Sequence, residues 1–312
     1  MSPAPVAVID IGSNSIKVLV ALRAADGGIL PLHSHTLDVR ISAGISRNDP
    51  HLGAEGMARG VEAIRSLLAD ADRFPASRRV LVATSAVRDA RNGADFCKLV
   101  RNATGHEIRI LTGREEANLI GRGLACDPAL RHLRDFYVFD LGGGSLECLG
   151  FRGRHIEQSV SLQLGCVRLT EKFSSDSSLP LTASACDEVS AYTRKLITRS
   201  DFAFSLPAGT VAVGTGGTVT TVRAILGARE GKPVAATPML VTVAQLRELL
   251  AWLGAMSLAE RKQVAGLPPS RADVFPVALA TLLATFELGG LPACQNSLYN
   301  LRYGLADEAL AS

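Results

Sequence analysis

The sequence lacks the patterns that would place it in several large classes of protein. Its six cysteines (Cys97, Cys126, Cys148, Cys166, Cys186 and Cys294) are scattered and include no CxxC pair. That argues against a disulfide framework and against a cysteine zinc site. The six histidines form neither HxxxH nor HxE. His33 and His35 would share one face of a strand, but with no third ligand beside them they read as surface residues. The longest apolar run, 274–288, is broken by Pro276 and Glu287 and is short for a bilayer span, so no membrane partner is expected. The opening MSPAPVAVID has no basic region and enters an apolar strand at once, which predicts no signal peptide and a cytoplasmic location. A net charge of +3 is too small to imply wrapping of DNA or RNA. Lysine is scarce, with 6 residues against 27 arginines. Guanidinium suits phosphate oxygens, but high-GC coding gives the same bias, and that plainer reading is preferred.

What is present is a globular composition, 47% hydrophobic and 20% charged, over 312 residues, enough for two domains with a core each. The organising stretch is FYVFDLGGGSLECL (136–149). Phe136, Tyr137, Val138 and Phe139 read as a buried strand ending at Asp140. Gly142, Gly143 and Gly144 make the turn, and Ser145 and Glu147 lie on the returning strand. A glycine turn presents convergent backbone N–H groups, which suit phosphate oxygens. The carboxylates at its two ends suit a hard divalent cation carried by that phosphate. The N-terminal VAVIDIGSNSIKVLVAL repeats this order: a strand ends at Asp10, Gly12, Ser13, Asn14 and Ser15 turn, and a strand returns through Lys17. Aligning the aspartates gives 140 − 10 = 130 residues, the mark of a duplicated domain with two phosphate clamps facing one cleft.

Further along, apolar spacing at Met57, Val61, Ile64, Leu67 and Leu68 predicts a helix over 54–71. The strand VLVAT then leads into TSAVRDA. There Thr84 or Ser85 would cap a helix whose first turn, carrying Arg88, offers an anion site. An arginine in a first turn opposes the helix dipole, which favours a phosphate role over pairing with an acid. In LTGREEANL, Thr112 and Glu115 have capping-box spacing, which leaves Glu116 to orient a hydrolytic water. A third glycine turn, Gly214, Thr215, Gly216, Gly217 and Thr218, joins a strand to a helix. The serine-rich 174–180 is the expected mobile segment. Ser270 would cap a helix with Asp273 three residues on. Arg271 is expected either to reach the cleft or to pair with Asp273. The closing SLYNLRYGLADEAL is expected to return and brace the first domain, giving domains 1–121 with 297–312, and 122–296.

The motifs DIGSNSIK, ATSAVRDA, TGREEANL, DLGGGSLE, SLQLGCVRLTE, GTGGT, GLPPSRAD and SLYNLRYGL together resemble the exopolyphosphatase/guanosine pentaphosphate phosphohydrolase (Ppx/GppA) family, in family order over nearly the whole chain. The resemblance implies an α/β, duplicated actin/Hsp70/sugar-kinase-like (ribonuclease H-like) two-domain fold with an interdomain cleft. It implies Glu116 as general base and Asp140 and Glu147 as ligands of Mg²⁺, or alternatively Mn²⁺. The residues from Asp10 to Ser15, Gly142 to Ser145 and Gly214 to Thr218, with Arg88, would grip phosphate. Lys17 stands where the family often has Arg, and Asn300 where it usually has Gly. By the same resemblance, the chain is expected to lack the C-terminal helical domain of longer members, which would favour short chains or a compact nucleotide. The expected activity is hydrolysis of the terminal phosphoanhydride of inorganic polyphosphate, in a monomer or a homodimer. The alternatives are a pppGpp phosphohydrolase and a non-catalytic polyphosphate or alarmone sensor, with a sugar or acetate kinase further off.

Overall fold

The computed structural model describes residues 4–43, 45, 50–207 and 209–311. Strands β1 (Val6–Ile11), β2 (Ser15–Arg23) and β3 (Ile29–Asp38) run antiparallel in sequence. Helix α1 (Ala54–Ala71) returns the chain to β4 (Arg78–Ala83), parallel to β1. Two helices, α2 (Ser85–Asp89) and α3 (Gly93–Thr104), precede β5 (Ile108–Ile110), parallel to β4, and α4 (Gly113–Ala125) follows. The sheet order is β3-β2-β1-β4-β5. Every residue of β1 is buried, as its unbroken apolar run requires of a central strand covered on both faces. Helix α1 buries Ile64, Leu67, Leu68 and Ala71 against that sheet, the stripe expected from its spacing.

The second half repeats the plan. Strands β6 (Phe136–Leu141), β7 (Leu146–Arg152) and β8 (His155–Leu162) form the antiparallel set. Helices α5 (Cys166–Phe173) and α6 (Ala183–Thr198) lead to β9 (Val211–Thr215), parallel to β6. Then come α7 (Gly216–Arg229), β10 (Leu240–Thr242), α8 (Val243–Gly254), the one-turn α9 (Leu258–Arg261), α10 (Phe275–Leu288) and β11 (Ala293–Asn296). Read from its far edge, this sheet runs β8-β7-β6-β9-β11, with β10 added antiparallel outside β11. That is the order and sense of the first sheet, so the duplication inferred from two turns extends to whole sheets. The apolar run 274–288 is the buried helix α10, and among the described residues no helix is long and apolar enough to cross a membrane.

The final helix, α11 (Leu301–Ala311), packs on α4, β1 and β2. The chain divides into a unit of Met1–His132 with Tyr299–Ser312 and a unit of Leu133–Leu298. Helix α4 is continuous through residue 121, where the sequence reading divides the chain. It ends at Ala125, and a separate 3₁₀ turn follows at Pro128–Leu130.

Two expectations need correction. Ser270 does not cap a long helix: Pro269–Arg271 form a single 3₁₀ turn, and α10 begins only at Phe275, where Pro276 occupies the first turn. The segment 174–180, expected to be mobile, is tied down. Arg261, only 2% exposed, donates to the Ser177 and Leu179 carbonyls, and Ser178 O accepts from the Leu258 amide.

Asn300, where the family pattern has glycine, accepts from the Arg302 amide and so caps α11. The close backbone approach is made instead by two other glycines. A side chain on Gly123 would strike the Asn300 carbonyl, and one on Gly304 would strike the Leu119 carbonyl. Both obstacles are backbone and cannot swing aside. Gly304→Ala should therefore lower unfolding stability by about 1–3 kcal/mol, the usual cost of overpacking, with chemical denaturation as the measurement.

Candidate active site

The two aspartate turns close in the same way. The Gly12 amide donates to the Ser15 carbonyl at 3.1 Å, and the Gly142 amide to the Ser145 carbonyl at 3.0 Å. Each turn then has its carbonyls held from behind. In the first, Ser13 O accepts from the Ser42 amide and hydroxyl, and Asn14 O accepts from the Val39 and Arg40 amides. In the second, the N-terminus of α5 does the same work. Gly142 O accepts from Cys166 N, Gly143 O from the Val167 and Arg168 amides, and Gly144 O from Arg168 Nε. A trans peptide points its N–H opposite to its C=O. Anchoring these carbonyls therefore turns the following amides to the other side. Among the described residues, nothing accepts from the amides of Asn14, Gly143 or Gly144. Convergent amides of this kind form the geometry called an anion nest.

The strands flanking the turns bring the charged residues into register. Asp10 pairs across the hairpin with Lys17, and Asp140 with Glu147. Lys17 Nζ lies 3.8 Å from Asp10 Oδ2, whereas Asp10 Oδ1 is buried without a hydrogen bond. Such an orphaned carboxylate oxygen calls for a cation or water, since it would repel a phosphate oxygen. Glu147 is buried, and its Oε1 accepts from Ser161 Oγ at 2.7 Å. The donor set of the second turn is thus all oxygen, which suits a hard divalent ion.

Around the first turn, the carboxyl ends of β1, β4 and β5 gather the remaining expected residues of that unit. The Thr84 amide and hydroxyl both donate to Ile11 O, and Ser85 Oγ lies 3.1 Å from Ser13 Oγ. Arg88 Nη1 donates to Glu116 Oε2 at 2.8 Å and to Leu111 O at 3.0 Å, and its Nε lies 3.6 Å from Asp89. Helix α2 is only five residues long, so Arg88 occupies its last turn, where the dipole favours a cation. Arg88 is therefore not set against the dipole as expected, and its guanidinium orients Glu116. Sequence reasoning left Arg40 without a role. Its backbone sits in the left-handed region at φ 47°, and its Nε donates to Asn14 Oδ1. Strain of that kind in a non-glycine residue clusters at functional sites.

In the other unit, the third glycine turn joins β9 to α7 beside Asp140. Gly216 has φ +78°, and a Cβ there would overlap Asp140 Oδ1, so only glycine admits the carboxylate. Gly214 is strand-buried, with its carbonyl accepting from Asn296 Nδ2 and Ser297 N. The Thr215 and Thr218 hydroxyls donate to Ser297 O and Leu141 O. What this turn offers a ligand is backbone at a helix N-terminus. Arg271 does not pair through its side chain with Asp273. It lies against Gly217, donating to the Thr218 and Thr221 hydroxyls at 3.1 Å each, and places a cation beside that N-terminus.

The adjacent glutamates are sorted by their partners. Glu115 completes the capping box with Thr112 and pairs with Arg109. The Arg109 and Thr112 bonds hold its pKa down at about 2, against 4.5 ordinarily. Glu116 is 6% exposed and turns to Arg88 instead. The six cysteines are all free, and burial pushes the Cys294 thiol up to about 12.

The two mixed sheets repeat one strand order, each with an aspartate-ended first strand running into a tight turn, and so define a duplicated α/β fold. The Ppx/GppA phosphatase family profile matches residues 20–312, and the chain belongs to that family of phosphatases. Solved structures agree in fold. The chain is similar to an exopolyphosphatase from Cytophaga hutchinsonii (23% identity, 98% of each chain covered, TM-score 0.88). It is also similar to the Aquifex aeolicus Ppx/GppA family member (24% identity, 99% of this chain and 98% of that one covered, TM-score 0.79). Membership carries a general dependence on a divalent metal without fixing which.

A depressed carboxylate pKa contributes stability above the unfolded value that is lost as pH falls through the folded one. Glu115→Ala should thus cost about 0.5–1 kcal/mol at pH 7, since the group is well exposed. Thermal unfolding of both proteins should show the gap closing as pH falls from 4.5 to about 2.

Proposed function

We propose that the protein is an exopolyphosphatase, hydrolysing the terminal phosphoanhydride of inorganic polyphosphate and releasing orthophosphate. The observation that carries this reading is Glu116, buried and oriented by Arg88 at 2.8 Å, in the unit whose Asp10 turn is cross-braced to α2 through Ser13 and Ser85. In this reading the amides of the two nests, with Lys17, take up phosphate oxygens. Arg271 adds charge at the third turn. Glu116 orients the attacking water and accepts its proton, with Arg88 fixing the carboxylate. Asp10, whose buried oxygen lacks a partner, serves better as a cation or water acceptor than as a direct phosphate ligand. Asp140 and Glu147 are the residues that would hold Mg²⁺ or Mn²⁺, which when bound neutralises charge on the transferring phosphoryl group. Attack of water forms one P–O bond, the bridging P–O bond breaks, and the shortened chain leaves with its oxygen.

The second reading, pppGpp hydrolysis at the 5′ end, uses the same groups and differs in needing a purine pocket. Phosphate release from polyphosphates of graded length and from pppGpp, with and without divalent metal, separates the two. Binding of either ligand with no phosphate released would instead support a sensor. Glu116→Gln should leave the fold intact and lower turnover by roughly a hundredfold or more, the usual range for a lost general base. Wild-type rates in the purified variant would remove Glu116 from that role. Asp140→Asn should shift the metal activation curve to higher concentration, and an unchanged Mg²⁺ titration would exclude Asp140 as a ligand.

A further inference from the structure

The histidine pair that the sequence left without a third ligand acquires one in the fold. His33 and His35 lie two residues apart on β3, the edge strand of the first sheet, and so share a face. Their strand neighbour Ser34 points the other way, where it accepts from Arg302 of α11. Across from the two imidazoles stands Asp70, in the last turn of α1. Its Oδ2 is 2.6 Å from His35 Nδ1 and 3.9 Å from His33 Nε2, and the three ligand atoms lie within 4.8 Å of one another.

We propose that His33, His35 and Asp70 form a second metal site, specific for a first-row transition-metal dication such as Zn²⁺ and separate in chemistry from the all-oxygen set at Asp140 and Glu147.

Three features support it. His33 Nε2 is buried and has no hydrogen-bond partner, a lone-pair-bearing nitrogen aimed at a carboxylate it does not reach. The His33 ring is held by stacking on Phe74 at 5.5 Å, so its orientation is set without metal. Asp70 divides its oxygens: Oδ1 lies 3.5 Å from Arg73, and Oδ2 faces the histidines. Metal-bound carboxylates are commonly supported in this way from outside. Tetrahedral Zn²⁺ with bonds of about 2.05 Å separates its ligand atoms by roughly 3.3 Å. The 2.6 and 3.9 Å distances bracket that spacing, and a small rotation of the Asp70 carboxylate lengthens one while shortening the other. Water would supply the fourth ligand. Two imidazoles and a single carboxylate favour Zn²⁺, Co²⁺ or Ni²⁺ over Mg²⁺, which demands oxygen. A metal here would pin the edge strand β3 to the end of α1 and stabilise the folded unit.

The test is calorimetric titration of the purified full chain with Zn²⁺ in excess Mg²⁺, so that oxygen sites are already filled. The expected result is one bound equivalent, retained in Asp140→Asn and lost in both His33→Ala and His35→Ala, with Asp70→Asn at least about tenfold weaker. Thermal unfolding without metal shows whether the variants fold. For the parent protein alone, Co²⁺ loading should give visible ligand-field bands and two hyperfine-shifted imidazole N–H signals. Absence of Zn²⁺ binding, binding unmoved by the histidine changes, loss in Asp140→Asn, or a different imidazole count would each overturn the site. None of these outcomes bears on whether polyphosphate is the substrate.

Discussion

The arrangement on which both aspartate turns depend is the fixing of a few peptide carbonyls from behind. A glycine- or serine-rich turn free of such anchoring has no preferred face for its N–H groups. Here the Ser13 and Asn14 carbonyls are tied by residues 39–42, and the Gly142, Gly143 and Gly144 carbonyls by the start of α5. Because each peptide is planar and trans, the anchoring alone aims the amides. The two units reach this by different means, a loop in one and a helix N-terminus in the other. The means differ while the Gly-to-Ser turn bond is kept in both, at 3.1 and 3.0 Å. The shared turn thus sets the geometry, and the anchors were free to diverge around it.

Against that symmetry, one cross-strand position differs in sign. The partner of Asp10 is Lys17, and the partner of Asp140 is Glu147. A lysine beside a nest adds attraction for phosphate. A second carboxylate beside a nest repels phosphate unless a cation stands between them. The duplicated frame therefore carries a cation beside one turn and a second carboxylate beside the other.

Much of this was legible because it rests on local patterns. The 130-residue offset aligned Asp10 with Asp140, and the two strands that end there hold matching places in their sheets. The Thr112–Glu115 capping box follows from a four-residue spacing and is formed as read, which separated Glu115 from Glu116. What escaped was long-range. The length of α2, which moves Arg88 from a first turn to a last, depends on packing beyond the local sequence. The meeting of Asp70 with His33 and His35 spans 35 residues and a helix crossover. Arg40 carries no local sign of its positive φ, because that strain is imposed by its backbone bond to Asn14.

The buried arginines show the same limit most clearly. Arg223 is 3% exposed and donates to the carbonyls of Pro238, Val234 and Thr237 and to Asn296 Oδ1. Asn296 in turn donates to Gly214 O, immediately before the third glycine turn. Arg261 does the equivalent for 177–179 and Ala272. In composition these residues count as two more cations, indistinguishable from surface charge. A guanidinium with no acid partner would be costly to bury, so its worth lies in satisfying several loop carbonyls at once. Removing either one would strand those carbonyls as well as the space, a heavier loss than the cation alone suggests. The third turn is therefore held by a chain running from Arg223 through Asn296 to Gly214, just as the first two are held through their own carbonyls. In all three turns the open backbone amides are positioned by hydrogen bonds made to neighbouring carbonyls.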